Sequence, residues 1–458
     1  MGPVVSSSSG RFAVHIVQTL AEAGHRAVLA GGCVRDHLLS RQPKDYDVAT
    51  SARPEQVTAL FPKSLEVGAA FGVICVLGER PRPDEPPLQV EVATFRRDGG
   101  YSDGRHPDSV SFADEVEDVK RRDFTINGLL YDPLKEEVLD YVGGRKDLDA
   151  RVIRAIGDPR RRFLEDRLRM LRAVRFAATL GFDIDGLTAS AIRKEAGRIN
   201  EVSAERIRQE LSRILTGPRP RKGLELLKSL RLLRAILPEV DAMAGVEQPD
   251  QFHPEGDVWE HTLYLIGELA DAPLALALAA LLHDVGKPPT FVRAKDRIRF
   301  NEHEKVGADL TEQILRRLRY PNEVIDEVTA LVRNHMVFKD VQRMRPAKLK
   351  RFLRMPHFEH HLELHRLDCL ASHGDLGSYE FCQQELAQLS MEQLRPNPLL
   401  TGEDLKRLGL KPGPIFKQIL SDLEDRQLEG VVTDRDTALA YVKTHFVAKS
   451  VQETGDSS

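Results

Sequence analysis

The 458-residue chain is short of cysteine, has a single tryptophan, carries no large charge excess and lacks a long apolar run. Each shortage excludes something. The four cysteines, Cys33, Cys75, Cys369 and Cys382, are scattered and form no Cys-x-x-Cys pair. They make no disulfide framework, which suits a reducing compartment, and a cytoplasmic location is expected. The longest apolar run, "APLALALAALL", falls short of the roughly 20 residues that a bilayer span needs, so no membrane partner is expected. The formal net charge of -4 supplies no global field for nucleic acid, and any such contact must come from local clusters. The opening "MGPVVSSSSG" has neither the basic nor the apolar segment of a signal peptide. It fits a loose myristoylation pattern, but a disordered leader is the simpler expectation, as is a disordered tail.

What is present points to a multidomain globular protein. The chain is 41% hydrophobic and 30% charged, and its length predicts roughly two to four domains. Up to about residue 155, strand and helix signals mix. "FAVHIVQTLAEAG" reads as a helix stopped by Gly24, while "HRAVLAGG", "DYDVAT", "FGVICVLGE" and "LQVEVATF" read as strands. From Pro159 onward the pattern is helical. "FLEDRLRMLRAVRFAATLG" reads as one helix ending at Gly181, with Leu164, Leu168 and Leu171 on one face. "SAERIRQELSRILTG" reads as a helix capped by Ser203 and stopped at Gly217. The last stretch predicts two short helices joined at "GLKPGP". The fold class expected is α+β: a head with a small mixed sheet, then all-α modules.

"GGCVRDHLLSRQPKDYDVAT" (Gly31 to Thr50) is the richest segment. On a strand, Asp45 and Asp47 project to one side while Tyr46 and Val48 face the core. Paired carboxylates at this spacing can share Mg²⁺, which takes oxygen ligands and phosphate oxygens. Gly31 and Gly32 would let a phosphate approach the backbone, and Arg35 would add a cation. In "LQVEVATF", Leu88, Val90 and Val92 form a buried face and Glu91 points the other way, as a third carboxylate. Each element alone is more often structural than catalytic; the combination is specific.

That combination resembles the head of the class II tRNA nucleotidyltransferase and bacterial poly(A) polymerase family, which has a DNA polymerase beta-type nucleotidyltransferase fold. "RRDFTINGLLYDP" resembles the family's ribose- and triphosphate-contacting motif, which implies roles for Arg122, Asp123 and Asn127 near sugar and phosphates. "DYVGGRKDL" resembles a hinge between head and neck. "FRRDGGYSDGRHPDSVSF" resembles the flexible loop kept by members that add the terminal adenine, with Asp103 and Arg105 as lever contacts. "FLEDRLRMLRAVRF" matches the Glu-Asp-x-x-Arg motif at Glu165, Asp166 and Arg169. On a continuous helix Asp166 and Arg169 would meet, giving an acceptor and a donor fork for the edge of a base. In the neck that follows, Arg206, Arg213 and Arg219, with Arg208, Arg221 and Lys222, are candidates to track an RNA backbone.

The segment from about 250 to 376 is rich in histidine. His261, His283 with Asp284, His303, His335 and Asp368 occur in an order that resembles the HD phosphohydrolase superfamily. Such ligands suit a transition metal such as Mn²⁺, Ni²⁺ or Co²⁺, and a metal-activated water could attack a phosphate ester. The resemblance implies one metal on His261, His283, Asp284 and Asp368, with His303 and His335 serving a second. His357, His360, His361, His365 and His373 add no clear ligand pattern and read as surface or structural.

The expected organisation is a leader (1–11), nucleotidyltransferase head (12–157), helical neck (158–245), HD domain (246–378), helical tail (379–446) and disordered tail (447–458). The expected activity is template-independent addition of CCA to tRNA 3′ ends from CTP and ATP with Mg²⁺, by a monomer or homodimer. An A-adding enzyme or a poly(A) polymerase shares every motif. A reading of a different class makes the HD domain the main activity and the head a nucleotide-binding regulator. A third, a non-catalytic RNA-binding module, predicts loss of carboxylates that are present.

Overall fold

The computed structural model describes residues 7–68, 72–101, 104, 108–249, 256–295 and 297–447. The chain forms two compact units. One is built on the chain up to Asp241 with 269–274 and 317–320, and the other on 242–268, 275–316 and the chain from Pro321.

The first unit opens with α1 (Ser8–Glu22), whose N-cap Ser7 accepts a hydrogen bond from the Gly10 N–H. Residues 8–11, assigned from sequence to a disordered leader, are therefore helical. The cap and the buried stripe of Ala13, Ile16, Val17 and Leu20 hold them in place. Five strands follow: β1 (Ala27–Ala30), β2 (Asp47–Thr50), β3 (Ser64–Gly68), β4 (Val73–Leu77) and β5 (Gln89–Thr94). After β6 (Arg96–Asp98) and β7 (Val110–Phe112) come β8 (Leu130–Asp132) and β9 (Glu137–Leu139). The sheet runs β3-β4-β5-β2-β1-β8-β9. β2 and β5 are parallel, whereas β1 pairs antiparallel with both β2 and β8, so the sheet is mixed as expected. Val28, Ala30, Ala49, Phe95, Val119 and Leu130 form a core against it.

Within this frame several sequence expectations change. The strand carrying the paired aspartates begins at Asp47, and Asp45 lies in the segment leading into it. Tyr46 and Val48 are nonetheless buried, as alternation requires. Val90 and Val92 are buried, but Leu88 is only half-buried. The ends of the expected flexible loop form a β6–β7 ribbon, Arg96 opposite Phe112, while Asp103 and Arg105 lie outside the described residues. The expected hinge is a tied-down turn. Asp140 accepts from the N–H groups of Val142, Gly144 and Arg145, and a Cβ on Gly144 would run into the Thr125 carbonyl and lie 2.9 Å from Leu129. That glycine is needed for close packing rather than for bending.

The largest difference concerns "FLEDRLRM". It is not one helix. Numbering the helices of the first unit in chain order, α2 is Gly32–Leu38, α3 Pro54–Leu60, α4 Glu115–Lys120, α5 Gly144–Asp149, α6 Pro159–Glu165 and α7 Arg169–Leu180. The helix stops at Asp166, which is extended at φ -144° and ψ 106°. The break rotates the two halves relative to a continuous 100° wheel, so Phe163 is buried and Leu164 only half-buried. α7 ends at Gly181, as expected, and buries Met170, Leu171, Val174 and Ala177. The helix Ala204–Leu215 starts where expected, although the Ser203 side chain makes no capping bond.

In the second unit, the histidine-bearing helices Val258–Gly267 and Phe358–Ala371 pack against each other, and an aliphatic helix, Leu274–Leu282, is buried along nearly its whole length. The tail has the two expected helices, Gly402–Arg407 and Pro414–Leu428, with Leu405, Ile419 and Leu423 in a shared core. Among the described residues no helix is long and apolar enough to cross a membrane.

Candidate active site and metal cluster

A pocket of about 560 Å³ opens in the first unit. It brings together Gly31, Gly32, Arg35, Asp45, Asp47, Arg122, Asp123, Asn127, Asp166, Arg169 and Arg206, all singled out from sequence. Seven arginines line it against four aspartates, an excess of positive charge suited to a polyanion such as a triphosphate.

The acidic end is built by sheet register. Asp47 on β2 stands directly opposite Glu91 on β5. Adjacent strands lie about 4.8 Å apart, so the two carboxylates are neighbours on the face away from Val48 and Val92. Partial withdrawal from water, then the Glu91 charge, push Asp47 up to about 6, with Asp45 adding to the effect and Arg122 opposing it. Carboxylates whose charges repel one another are the donor chemistry of a hard divalent cation, although the oxygens of Asp45, Asp47 and Glu91 do not all converge to within 4.8 Å of one another. Gly31 closes the floor. It has φ 72°, and a Cβ there would lie 3.1 Å from Arg122 Nη1 and 3.9 Å from Asp47 Oδ2.

The basic wall is fixed by buried carboxylates. Asp118 accepts from Arg121 Nε at 2.9 Å and Arg122 Nη2 at 3.0 Å. Arg35 Nη1 donates to Asn127 Oδ1 at 2.7 Å, and Asn127 Nδ2 donates to Asp123 Oδ1 at 3.0 Å. Asp123 Oδ2 accepts two bonds from Arg172, at 2.8 and 2.6 Å. Burial would raise the Asp123 carboxyl, but the Arg172 charge and these hydrogen bonds hold it down at about 2. The relay Arg35–Asn127–Asp123–Arg172 therefore links α2 to α7.

The pair expected to read the base is assembled differently. Asp166 takes Arg206 at 2.9 Å, and Arg169 takes Glu165 at 2.9 Å and the Arg121 carbonyl at 3.0 Å. Glu165 also holds Arg162 at 2.7 Å. Arg206, expected to follow the RNA backbone, is thus turned into the pocket. Arg213 remains exposed, 3.8 Å from Glu210, and Arg219 donates to the Thr179 carbonyl at 3.3 Å. Arg221 and Lys222 pair with Glu225 and Asp183.

Sequence reasoning missed Arg172, Arg175 and Phe176. The Phe176 ring has Arg175, Arg35 and Arg172 at 4.2, 5.2 and 5.3 Å from its centroid, and meets Phe124 edge-on at 5.8 Å. The ring face attracts cations and keeps them oriented. The three-residue spacing of Arg169, Arg172 and Arg175 was the available signal.

In the second unit, all six expected residues converge. His261 Nε2 lies 3.1 Å from Asp368 Oδ1 and 3.3 Å from His283 Nε2. His303 Nε2 lies 3.3 Å from His335 Nε2. Asp284 stands between: Oδ2 is 3.2 Å from His283 and Oδ1 is 3.5 Å from His303. Two candidate ligand triads result, His261–His283–Asp368 and Asp284–His303–His335, so Asp284 groups with His303 and His335 rather than with the first set, while staying 3.2 Å from His283. The Nδ1 atoms of His283, His303 and His335 each face the backbone carbonyl three residues earlier, at 2.9, 2.9 and 2.6 Å. Each Nε2 is left as a lone-pair donor, which is the ligand form. Burial, then His283 and His303, push His335 down to about 3. Lys287, unnoticed in sequence, reaches Asp284 at 2.7 Å and Gln248 at 2.6 Å. The donor set fits a transition-metal pair.

A mixed sheet that sets Asp47 beside Glu91, with Asp45 and Asp47 facing an arginine-lined pocket, has the make-up of a nucleotidyltransferase head. Family models match the chain as "Poly A polymerase head domain" over residues 27–154, "Probable RNA and SrmB- binding site of polymerase A" over 181–243, and "HD domain" over 257–376. The chain is 35% identical to the A-adding tRNA nucleotidyltransferase of Deinococcus radiodurans, covering 91% of this chain and 95% of that one. It is 41% identical to the CCA-adding enzyme of Lactobacillus helveticus over 53% of this chain, spanning only 58% of that relative, and 40% identical to that of Bacillus subtilis, spanning 66%. The solved Bacillus stearothermophilus CCA-adding enzyme, in complex with CTP, superposes with a TM-score of 0.73 at 27% identity, covering 97% of this chain and 100% of that one. The chain belongs to the class II tRNA nucleotidyltransferase and poly(A) polymerase family.

Proposed function

We propose that the chain adds CCA to tRNA 3′ ends from CTP and ATP without a nucleic-acid template. The observation that carries this is one pocket lined by Asp45 and Asp47, the latter beside Glu91 in sheet register, and also by the Asp166–Arg206 pair. Asp45, Asp47 and Glu91 would hold Mg²⁺, which when bound activates the attacking 3′ hydroxyl and steadies the pyrophosphate. Arg35, Arg121 and Arg122 orient the triphosphate, and Gly31 leaves room for it. Asp123 and Asn127 hold the sugar side. Asp166 accepts and Arg206 and Arg169 donate at the base edge, so protein groups do the work of a template. Exposed Arg213 meets the tRNA backbone.

The HD cluster supports a second activity, hydrolysis of 2′,3′-cyclic or terminal phosphates, since no ligand position is missing. A bound Mn²⁺, Ni²⁺ or Co²⁺ pair would supply Lewis-acid activation of water there. Asp284 holds both ligand triads in register, and Lys287 orients Asp284.

A-adding specificity is the second reading, favoured by the relative that aligns through the HD segment. The deciding experiment gives purified protein tRNA ending at the discriminator base, at -C and at -CC, with CTP and ATP singly and together, and sizes the products. CCA addition predicts extension of all three. Extension of -CC tRNA alone would replace it with A addition, and no extension would sink the transferase reading.

A further inference from the structure

A second set of metal-competent side chains sits on the two helices that carry His335 and Asp368 toward the HD cluster. Glu327 belongs to the helix Asn322–Asn334, which runs directly into His335, and His360 to the helix Phe358–Ala371. His357 immediately precedes that second helix. His360 Nδ1 lies 2.6 Å from Glu327 Oε1, and His357 Nδ1 lies 3.7 Å from the same oxygen. The two imidazoles stack 14° from parallel with centroids 6.0 Å apart. One donor atom from each of the three residues falls within 4.8 Å of the other two.

The geometry points to a divalent transition-metal site formed by Glu327, His357 and His360, separate from the cluster around Asp284. Two imidazole nitrogens and one carboxylate oxygen are a donor set for Zn²⁺, Ni²⁺ or Co²⁺, with the remaining position open to water. His357 is half exposed, so a cation can enter from solvent. A plain ion pair accounts for one histidine beside Glu327 but not for the second. His357 takes a left-handed backbone, φ 53° and ψ 38°, where helix starts ordinarily use an extended residue. That turn sets its ring beside Glu327 and parallel to His360.

The placement gives the site a role. Glu327 and His335 are eight residues apart, as are His360 and Asp368. At 1.5 Å per residue the new site lies about 12 Å from the HD cluster along both helices. A cation there clamps together the two helices that deliver His335 and Asp368.

The test uses the full-length chain, stripped of metal and dialysed against Co²⁺, with bound Co²⁺ counted per chain and its visible absorbance recorded. The wild type is expected to hold one more Co²⁺ than Glu327→Gln/His360→Ala, with equal tRNA extension by both. His357→Gly, whose backbone accepts φ 53° without strain, is expected to bind that Co²⁺ at least tenfold more weakly while melting like the wild type. If the double variant fails to fold, the His357→Gly titration decides alone. Equal Co²⁺ count and affinity in wild type and His357→Gly overturn the site. Because the HD cluster contributes the same background throughout, that result leaves the phosphohydrolase reading untouched.

Discussion

Asp166 and Arg169 are three residues apart and joined by a backbone hydrogen bond of 3.1 Å, yet their side chains take other partners. The chain turns extended at Asp166, whose carboxylate takes Arg206 at 2.9 Å, while Arg169 takes Glu165 at the same distance. The groups at the base end of the pocket are therefore held from three places: the α6–α7 break, the start of α7, and the helix Ala204–Leu215. Arg206→Ala should lower kcat/KM for CTP and ATP by roughly 10- to 100-fold, the loss of ~1.5–3 kcal/mol for a charged hydrogen bond, and blur the choice between them. KM for tRNA should hardly move. Steady-state kinetics with each substrate varied in turn checks this, and a rise confined to the tRNA KM would return Arg206 to the RNA backbone.

The Asp45→Ala/Asp47→Ala variant should lose extension by on the order of a thousandfold or more, because removing the cation's ligands forfeits several kcal/mol of transition-state stabilisation. Hydrolysis of a 2′,3′-cyclic nucleotide should persist. Parallel assays of the two reactions are sufficient, and loss of both would contradict two independent sites.

Chelation should separate the sites in the reverse sense. After dialysis against a chelator, Mg²⁺ alone should restore tRNA extension but not phosphate hydrolysis, which should return only with Mn²⁺, Ni²⁺ or Co²⁺. His261→Ala should leave extension intact under every metal. Activity measured after each addition tests the assignment.

Asp123 gives a pH signature. Its folded-state carboxyl is depressed to about 2, below the unfolded value near 3.9, so its contribution is complete above about pH 4 to 5 and fades as pH falls toward 2. The shift corresponds to about 2–3 kcal/mol at neutral pH for this buried group. Urea melts of wild type and Asp123→Asn at pH 7 and pH 3.5 should show a stability gap that narrows at the lower pH. A gap independent of pH would mean that Asp123 acts through shape and not charge.

Gly144→Ala should destabilise the first unit by roughly 1–3 kcal/mol, the usual effect of overfilling a packed site. Its Cβ would press on the Thr125 carbonyl and on Leu129. A mobile hinge would instead tolerate alanine, so the melting temperature distinguishes a packed turn from a flexible one.

The legible parts were those governed by a simple period. Alternation along β2 and β5 placed Asp47 and Glu91 on the open face, and their register pairing followed. The HD cluster was legible through the order of its histidines and aspartates, which resembles the HD superfamily, and not through position in a helix: His303 and His335 stand at helix starts, whereas His261 and Asp368 lie within helices. The break at Asp166 was not legible. "FLEDRLRM" has good helix formers throughout and no glycine or proline, and the bond from Arg206, 40 residues away, overrides local propensity. Arg172, Arg175 and Phe176 stayed hidden because arginines at helical spacing read as a solvated face until a ring packs against them. His357 and His360 were passed over because a left-handed residue is not visible in a string of letters.

The backbone carbonyls of Ala280, Phe300 and Val332 each engage one histidine ring of the HD cluster from behind. These three rings are oriented by local backbone, through bonds that need no metal. Half of the cluster's ligands are thus set before any cation arrives, so a metal would find its socket ready rather than fold the domain around itself.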